Sequence, residues 1–179
     1  YKKLNAVSFT QVEPMNNIQD IFDKLGNNKY YSKFDLSIGY YQIKMAPESI
    51  DLTCFTTPDR GNFAFTRMPF GLSSAPMTFT RMMRKLLDQA KDLDNYLDDV
   101  LAHSNAFNDH LNTLRDFFQR VRDANLAIKP SKCQVGYKGL DFLGHRVYED
   151  SRLPSATQLA KILEATRPET KTQVKSFLG

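Results

Sequence analysis

The run Leu93-Asp94-Asn95-Tyr96-Leu97-Asp98-Asp99-Val100-Leu101-Ala102 sets the tightest limit on what this chain can fold into. Apolar residues flank an adjacent carboxylate pair, and the pair falls where the chain would reverse. Val, Leu and Tyr suit strands and Asp suits turns. The pattern therefore predicts two short strands joined by a tight turn with acids at its tip. A hairpin tip fixes two carboxylates in place far better than a loose loop does. Crowded carboxylates repel unless a proton or a cation lies between them, and a hard divalent ion such as Mg²⁺ is the usual partner. The same dipeptide also suits a solvated surface corner. A third acid and a substrate site elsewhere decide between the two.

The third acid is Asp35. Lys29-Tyr30-Tyr31-Ser32-Lys33-Phe34-Asp35-Leu36 has the aromatic, alternating character of a strand, with Asp35 near its C-terminal end, where a carboxylate can leave a core and face a cleft. If this strand lies beside the acidic hairpin, Asp35, Asp98 and Asp99 converge. Three acids can hold two Mg²⁺ ions about 3.5–4 Å apart, the spacing that clamps both oxygens of an in-line phosphoryl displacement. Nucleases and cyclases can use the same trio, so the acids alone name only the reaction class.

Around these strands the pattern alternates. Met15, Ile18, Ile21, Phe22 and Leu25 recur at helical spacing between Pro14 and Gly26. Tyr40 to Met45 runs on from the break at Ser37-Ile38-Gly39. Cys54–Thr57 and Asn62–Arg67 flank the turn residues Pro58-Asp59-Arg60-Gly61, which predicts a hairpin. Pro69-Phe70-Gly71 then leads into a helix that Ser73 or Ser74 caps, with Pro76 in its first turn and Phe79, Met82, Met83, Leu86 and Leu87 as its buried stripe. Phe107, Leu111, Leu114, Phe117, Phe118, Val121 and Ala124 define a second long amphipathic helix. Leu126-Ala127-Ile128 reads as a short strand, Lys129 to Cys133 as a basic loop, and Leu140 to Tyr148 as a further hairpin with a glycine irregularity. Leu159, Ile162 and Leu163, then Val174, Phe177 and Leu178, predict two helices outside the main sheet. No internal repeat is evident. The fold class is α+β, with helices packed on one face of an antiparallel sheet.

Composition narrows the function. The chain has 179 residues, 41% of them hydrophobic, enough for one good core. A net charge of +4 suits an anionic partner. The excess lies late: from Thr113 to Arg146 there are seven Lys and Arg against three Asp. Cys54 and Cys133 have no CxxC spacing, so neither a disulfide framework nor a zinc site is indicated, and a reducing compartment is expected. No apolar run approaches the ~18 residues that span a bilayer, and no signal peptide is recognisable. A first residue other than Met and a last stretch inside a helical pattern suggest a fragment of something longer.

The tetrapeptide Tyr96-Leu97-Asp98-Asp99 resembles the YxDD signature of reverse transcriptases. Three further blocks make the likeness closer. The first is Phe34-Asp35-Leu36 with Gly39-Tyr40-Tyr41-Gln42-Ile43-Lys44-Met45. The second runs from Phe55-Thr56-Thr57-Pro58 through Arg67-Met68-Pro69-Phe70-Gly71-Leu72 to Ala75-Pro76-Met77-Thr78-Phe79. The third is Phe142-Leu143-Gly144-His145. They follow in the family's order, and the whole chain resembles the polymerase region of gypsy-type long-terminal-repeat retrotransposons or related retroelements.

The resemblance implies a reverse-transcriptase palm with partial fingers over residues 1–150 and the start of the thumb or connection over 151–179. It implies that Asp35, Asp98 and Asp99 are the catalytic, metal-binding acids for two Mg²⁺ ions, with Mn²⁺ as a possible substitute. Tyr40 matches the steric gate, the ring that lies where a ribonucleotide 2′-hydroxyl would go. Phe70 and Gly71 match the position that packs under the incoming sugar and templating base. Many retroviral enzymes have Gln at Phe70, so a polar contact to the sugar is not implied here. Lys132 corresponds loosely to a lysine held to protonate pyrophosphate; a solvated charge or phosphate contact is an equal reading. Phe142, Leu143 and Gly144 match the primer grip. Ser37 and Ile38 stand where the family often has Arg and Ser, which changes the side chains beside the triphosphate but keeps the acid-to-tyrosine spacing.

The implied partners are an RNA or DNA template with its primer and deoxynucleoside triphosphates, with no membrane. The implied parent polyprotein includes RNase H and integrase. The implied location is intracellular, in a cytoplasmic virus-like particle or the nucleus. Basic residues that clamp the triphosphate in the family's preceding strands have no counterpart in this sequence. Two other readings stand beside the polymerase. One is a catalytically silent, nucleic-acid- or protein-binding remnant. The other is a metal-dependent nuclease, which explains the acids but not Tyr40 or the Phe142 block.

Overall fold

The computed structural model describes every residue except Thr10, Gln11, Met15, Gly26, Asn27, Ser37, Asp150, Thr166 and Gly179, and the side chains of 161, 162 and 176–178. The expectations placed on Met15, Gly26 and Ser37, and on the side chains of Ile162, Phe177 and Leu178, lie outside the described residues. The helices are α1 (Lys2–Val7), α2 (Ile18–Lys24), α3 (Pro47–Ile50), α4 (Ala75–Leu86), α5 (Phe107–Asp123), α6 (Ala156–Leu163) and α7 (Lys171–Leu178). The strands are β1 (Tyr30–Asp35), β2 (Phe55–Thr57), β3 (Gly61–Phe63), β4 (Leu93–Tyr96), β5 (Asp99–Ser104), β6 (Gln134–Tyr137), β7 (Gly139–Phe142), β8 (His145–Tyr148) and β9 (Ser151–Pro154).

The central sheet has the order β4-β5-β1-β6, with every neighbouring pair antiparallel. Its β4–β5 hairpin is the acidic run, and β1 is the strand read from Lys29 to Leu36. Because side chains alternate along a strand, β1 and β5 feed two cores. Phe34, Val100 and Ala102 face α4 and α5 and pack with Phe79, Met83, Leu86, Leu114, Phe117 and Val121. Phe34 and Phe117 lie 4.6 Å apart between ring centroids. Each fully buried side chain of this size is worth about 1.5–3 kcal/mol. The opposite face carries Tyr31 and Leu101 into a second core with Ile21, Phe22, Leu25, Leu140, Phe142 and Val147. The two long helices thus share one face, as the amphipathic stripes predict. The other face is covered by α2 and the separate β7-β8-β9 sheet.

Several expectations change. Leu126-Ala127-Ile128 is not a strand: Ala127 exchanges two hydrogen bonds with the Gln42 side chain, its N–H donating to Oε1 at 2.6 Å and its carbonyl accepting from Nε2 at 2.9 Å. The side-chain amide thus takes the place of a ladder partner. Ser74 is the N-cap of α4, but its helical φ of −82° and ψ of −13° leave its side chain without a cap hydrogen bond, and Pro76 secures the first turn instead. Phe107 and Phe118 are more than two-fifths exposed, so the buried stripe of α5 is narrower than its apolar spacing suggests. Where the sequence shows only a break at Gly39, Gly39–Gln42 forms a turn of 3₁₀-helix.

Candidate active site

Backbone pairing brings the three acids together. In the β1–β5 ladder Asp35 is the register partner of Asp99, so the two carboxylates leave the same face of the sheet, one opposite the other. Asp98 lies between them in sequence space and at the tip in fold space: Leu97 and Asp98 form the two-residue turn from β4 to β5. The Leu36 N–H donates to the Asp98 carbonyl at 3.2 Å, tying the end of β1 to that tip.

Asp35 and Asp99 are each engaged by a lysine. Lys132 Nζ donates to Asp35 Oδ2 at 2.9 Å, and Lys33 Nζ lies 3.2 Å from Asp99 Oδ1. The Lys132 contact begins with the backbone, since the Lys129 N–H donates to the Asp35 carbonyl at 3.1 Å and draws the Pro130–Lys132 turn against the end of β1. Burial pushes the Asp99 carboxyl up from its ordinary value; Lys33 opposes that, and the charges of Asp98 and Asp35 add to it. The hydrogen bond to Asp35, with that residue's charge, holds the Lys132 ammonium above its usual range.

Among the described residues no three His, Cys, Asp or Glu side chains are grouped so as to hold a metal ion as they stand. The donor set nonetheless fits a hard divalent ion. All three side chains offer only carboxylate oxygens, and two of them already hold a cationic group.

Beside the acids is a cavity of about 150 Å³ lined by Ile38, Gly39, Tyr40, Phe70, Phe79, Leu97 and Asp98. It falls below the ~300 Å³ at which small-molecule pockets begin, and has room for part of a ligand rather than a whole one. Its walls are aromatic, with Tyr40 5.1 Å from Phe70 and 5.7 Å from Phe79 between ring centroids. Burial raises the Tyr40 phenol, and the Asp98 charge raises it further, so the ring presents an un-ionised hydroxyl near neutral pH.

Gly39 allows this arrangement. A Cβ there would lie 2.6 Å from a Phe79 ring carbon. Two non-glycine residues on the cavity wall adopt left-handed backbone, Ile38 at φ 54° and Leu97 at φ 52°. Such conformations cost roughly 1–3 kcal/mol and cluster where function constrains the chain. A larger groove of about 610 Å³, lined by residues of α4 and α5 and by Leu126, holds none of the acids.

The remaining expected site residues flank this centre. Phe70 is exposed, and Gly71 has φ 95°, which suits glycine. Their loop is braced by Asn5 of α1, whose Nδ2 donates to the Gly71 carbonyl at 2.8 Å and whose Oδ1 accepts from the Ser73 N–H at 2.9 Å. Phe142 ends β7 with its ring wholly buried, while Leu143 (φ 46°) and Gly144 (φ 78°) make the two-residue turn into β8. Two consecutive positive φ values are the mark of a type I′ hairpin. At 0% exposure the Phe142 side chain is core, so what this residue can offer a ligand is its backbone.

Sequence reasoning gave no role to Lys33, Gly39 or Asn5. Lys33 could have been suspected from its place two residues before Asp35 on the same strand face. Asn5 left no signal.

The profile of the family described as reverse transcriptase (RNA-dependent DNA polymerase) matches residues 1–147. The retrovirus-related Pol polyprotein from transposon 297 of Drosophila melanogaster is 36% identical over 181 aligned residues, covering 100% of this chain and 17% of the relative. The chain thus spans about a sixth of the length of that curated relative. Among solved structures, the foamy viral protease-reverse transcriptase in complex with double-stranded DNA matches with a TM-score of 0.92 at 25% identity, over 99% of this chain and 31% of that one. The same kind of protein in complex with an RNA/DNA hybrid matches with a TM-score of 0.88 at 25% identity, over 100% of this chain and 24% of that one.

Proposed function

The chain belongs to the reverse transcriptase family, and from that premise we propose that it carries the catalytic palm of an RNA-directed DNA polymerase from a gypsy-type retrotransposon or related retroelement. The observation that carries the reading is the register pairing of Asp35 with Asp99 beneath a hairpin tip bearing Asp98, next to the aromatic cavity of Tyr40 and Phe70. Asp35, Asp98 and Asp99 would hold divalent cations. When bound, those cations supply activation of a primer 3′-hydroxyl and neutralisation of the charge on departing pyrophosphate.

The chain's own residues do the rest. Tyr40 closes the cavity beside Asp98 with its ring and an un-ionised hydroxyl, leaving a deoxyribose room that a 2′-hydroxyl would fill. Phe70 offers an exposed aromatic face at the cavity mouth. Lys132, drawn to Asp35, supplies positive charge where a polyphosphate would pass. The type I′ turn at Leu143 and Gly144 presents backbone groups to a primer end.

The foamy viral relatives are described with duplex DNA and with an RNA/DNA hybrid, which supports a primer–template as the partner. A polymerase grips such a duplex by phosphates and shape, so a modest net charge and no base-reading element suffice. The division into a palm with partial fingers over 1–150 and the start of a thumb over 151–179 belongs to the same reading, supported by a family match that ends at residue 147. An intracellular setting also belongs to it, supported by two free cysteines.

The test is Mg²⁺-dependent extension of an oligo(dT) primer on poly(rA) by this chain, beside a longer polyprotein segment that contains it. Incorporation of thymidylate that stops on chelation is the expected result, in the longer form at least. No incorporation by either, with duplex binding intact, would reduce the chain to a nucleic-acid-binding remnant.

A further inference from the structure

Lys33 comes from the same strand as Asp35 and reaches the other side of the carboxylate pair. In the ladder its register partner is Leu101, while Asp35 faces Asp99, so the Lys33–Asp99 contact is a diagonal one across β1 and β5. Its Nζ lies 3.2 Å from Asp99 Oδ1 and 5.9 Å from the centroid of the Phe142 ring. Both side chains are about three-quarters buried, Lys33 at 23% and Asp99 at 25% exposure. An ammonium withdrawn this far from water is costly unless paired. A carboxylate on one side and an aromatic face on the other are the partners that offset the cost. Lys132, by contrast, holds Asp35 from a side chain that is 55% exposed, where water screens it.

We propose that Lys33 is a positioning residue that acts as the resident counter-ion of Asp99, fixing that carboxylate in the cation-free site and lowering the site's affinity for divalent ions. The inference rests on reading the three acids as cation ligands. An ammonium at hydrogen-bond distance from a ligand oxygen occupies a lone pair that a divalent ion needs. If it stays nearby after the ion arrives, it repels the ion through a partly buried medium, where charge–charge effects exceed those at an open surface. Binding therefore either displaces Lys33 from Asp99 or bears its repulsion. With the Phe142 ring beside it, the ammonium has a second partner that remains when the first is lost.

The test is Mn²⁺ binding by the 179-residue chain, followed through the electron paramagnetic resonance signal of the free ion at low salt. Lys33→Met, which keeps the stem and removes the charge, is expected to bind Mn²⁺ roughly tenfold more tightly than the wild type. Lys33→Arg, which keeps the charge, is expected to stay within about twofold. In an Asp99→Asn background the gain from Lys33→Met should shrink to less than about twofold, because the contact it relieves is gone. Thermal unfolding by circular dichroism checks that each variant folds, and Lys33→Gln replaces Lys33→Met if the latter does not. Unchanged or weaker Mn²⁺ binding without the charge overturns the proposal, and so does an equal gain in the Asp99→Asn background. Absence of binding by every form, wild type included, overturns the cation-site reading itself.

Discussion

Asp35 and Asp99 stand opposite each other across the β1–β5 ladder, and each is held by its own lysine, Lys132 at 2.9 Å and Lys33 at 3.2 Å. Like charges facing each other on adjacent strands destabilise a sheet. The two ion pairs allow the arrangement to persist without a cation. Among the described residues the exposed Asp98 carboxylate makes no ion pair. It is the acid of the three whose charge is uncommitted within the folded chain.

That asymmetry singles out Asp98 for substitution. Asp98→Asn keeps the shape of the hairpin tip and removes the charge. In an extension-competent polypeptide it is expected to lower DNA synthesis by roughly a thousandfold or more, the loss of several kcal/mol of charge stabilisation. Primer–template binding, which the proposed function assigns to phosphate contacts along the duplex, should change by less than about threefold. Paired measurements of extension rate and duplex affinity check both halves. Retained synthesis removes Asp98 from the chemistry.

Tyr40 lines the same small cavity as Asp98, between Phe70 and Phe79. Tyr40→Ala deletes the ring that, on the proposed function, limits the space beside the incoming sugar. The expected result is ribonucleotide incorporation raised by roughly tenfold or more relative to deoxynucleotides, the scale on which a pocket rejects one extra group. Competition between a ribonucleotide and its deoxy counterpart at one template position measures it. Unchanged discrimination means that another group is the gate.

The acidic hairpin was legible because period-two alternation and turn chemistry agree over Leu93 to Ala102, and the long helices because their apolar stripes repeat. Strand β6 was not. It is exposed along its length, it meets β1 at only two register positions with an irregularity between them, and Gly136 turns through φ 73°. No alternation survives such a bulge. Helix α1 has six residues and no buried side chain, so it left no amphipathic trace. The apolar Leu126-Ala127-Ile128 misled because a run of three residues cannot distinguish a strand from a loop that packs on a core. At the site, the convergence of the three acids could be expected from strand and turn chemistry, whereas Tyr40 and Phe70 were singled out only by the family resemblance. The lysine contacts could not be expected: Lys132 lies 97 residues from Asp35, and the distance closes only when the Lys129 N–H finds the Asp35 carbonyl. Nor did anything in a β-branched Ile38 announce a left-handed backbone.

Gly39 is a packing requirement. Its missing Cβ makes room for the Phe79 ring, two carbons of which would lie 2.6 and 2.7 Å from an added methyl. Phe79 is 1% exposed and locked in the core of α4, so it has little freedom to retreat. Gly39→Ala is expected to destabilise the fold by about 1–3 kcal/mol. It should also displace Tyr40, which follows it in the same 3₁₀ turn. Urea denaturation measures the first effect; an unchanged midpoint would mean that the ring moves aside freely.

His110 carries a pH dependence of known sign. It is 1% exposed, with Nε2 2.7 Å from Ser32 Oγ and Nδ1 3.3 Å from Ser104 Oγ. Ser32 Oγ also accepts from the Gly136 N–H at 2.9 Å, so its own proton is free to point at Nε2, and a neutral imidazole protonated on Nδ1 satisfies the whole network. Burial pushes His110 below its ordinary value of 6.5, and the charge of His103 pushes in the same direction. With the folded value below the unfolded one, the unfolded chain binds the extra proton between them. The contribution to stability is complete above about 6.5 and is lost as pH falls. Asp94 acts in the same direction in a more acidic window. Burial would raise its carboxyl, but hydrogen bonds from His103 and Lys24 outweigh that and hold it below its ordinary value. Asp99, raised by burial, works against both in the acid range. The unfolding midpoint in urea is therefore expected to fall between about pH 7 and pH 5.5 through His110, with the loss from Asp94 following only below about pH 5. His110→Gln should lower the midpoint at neutral pH yet flatten its slope over that interval. A variant whose slope matches the wild type would assign the acid sensitivity to other groups.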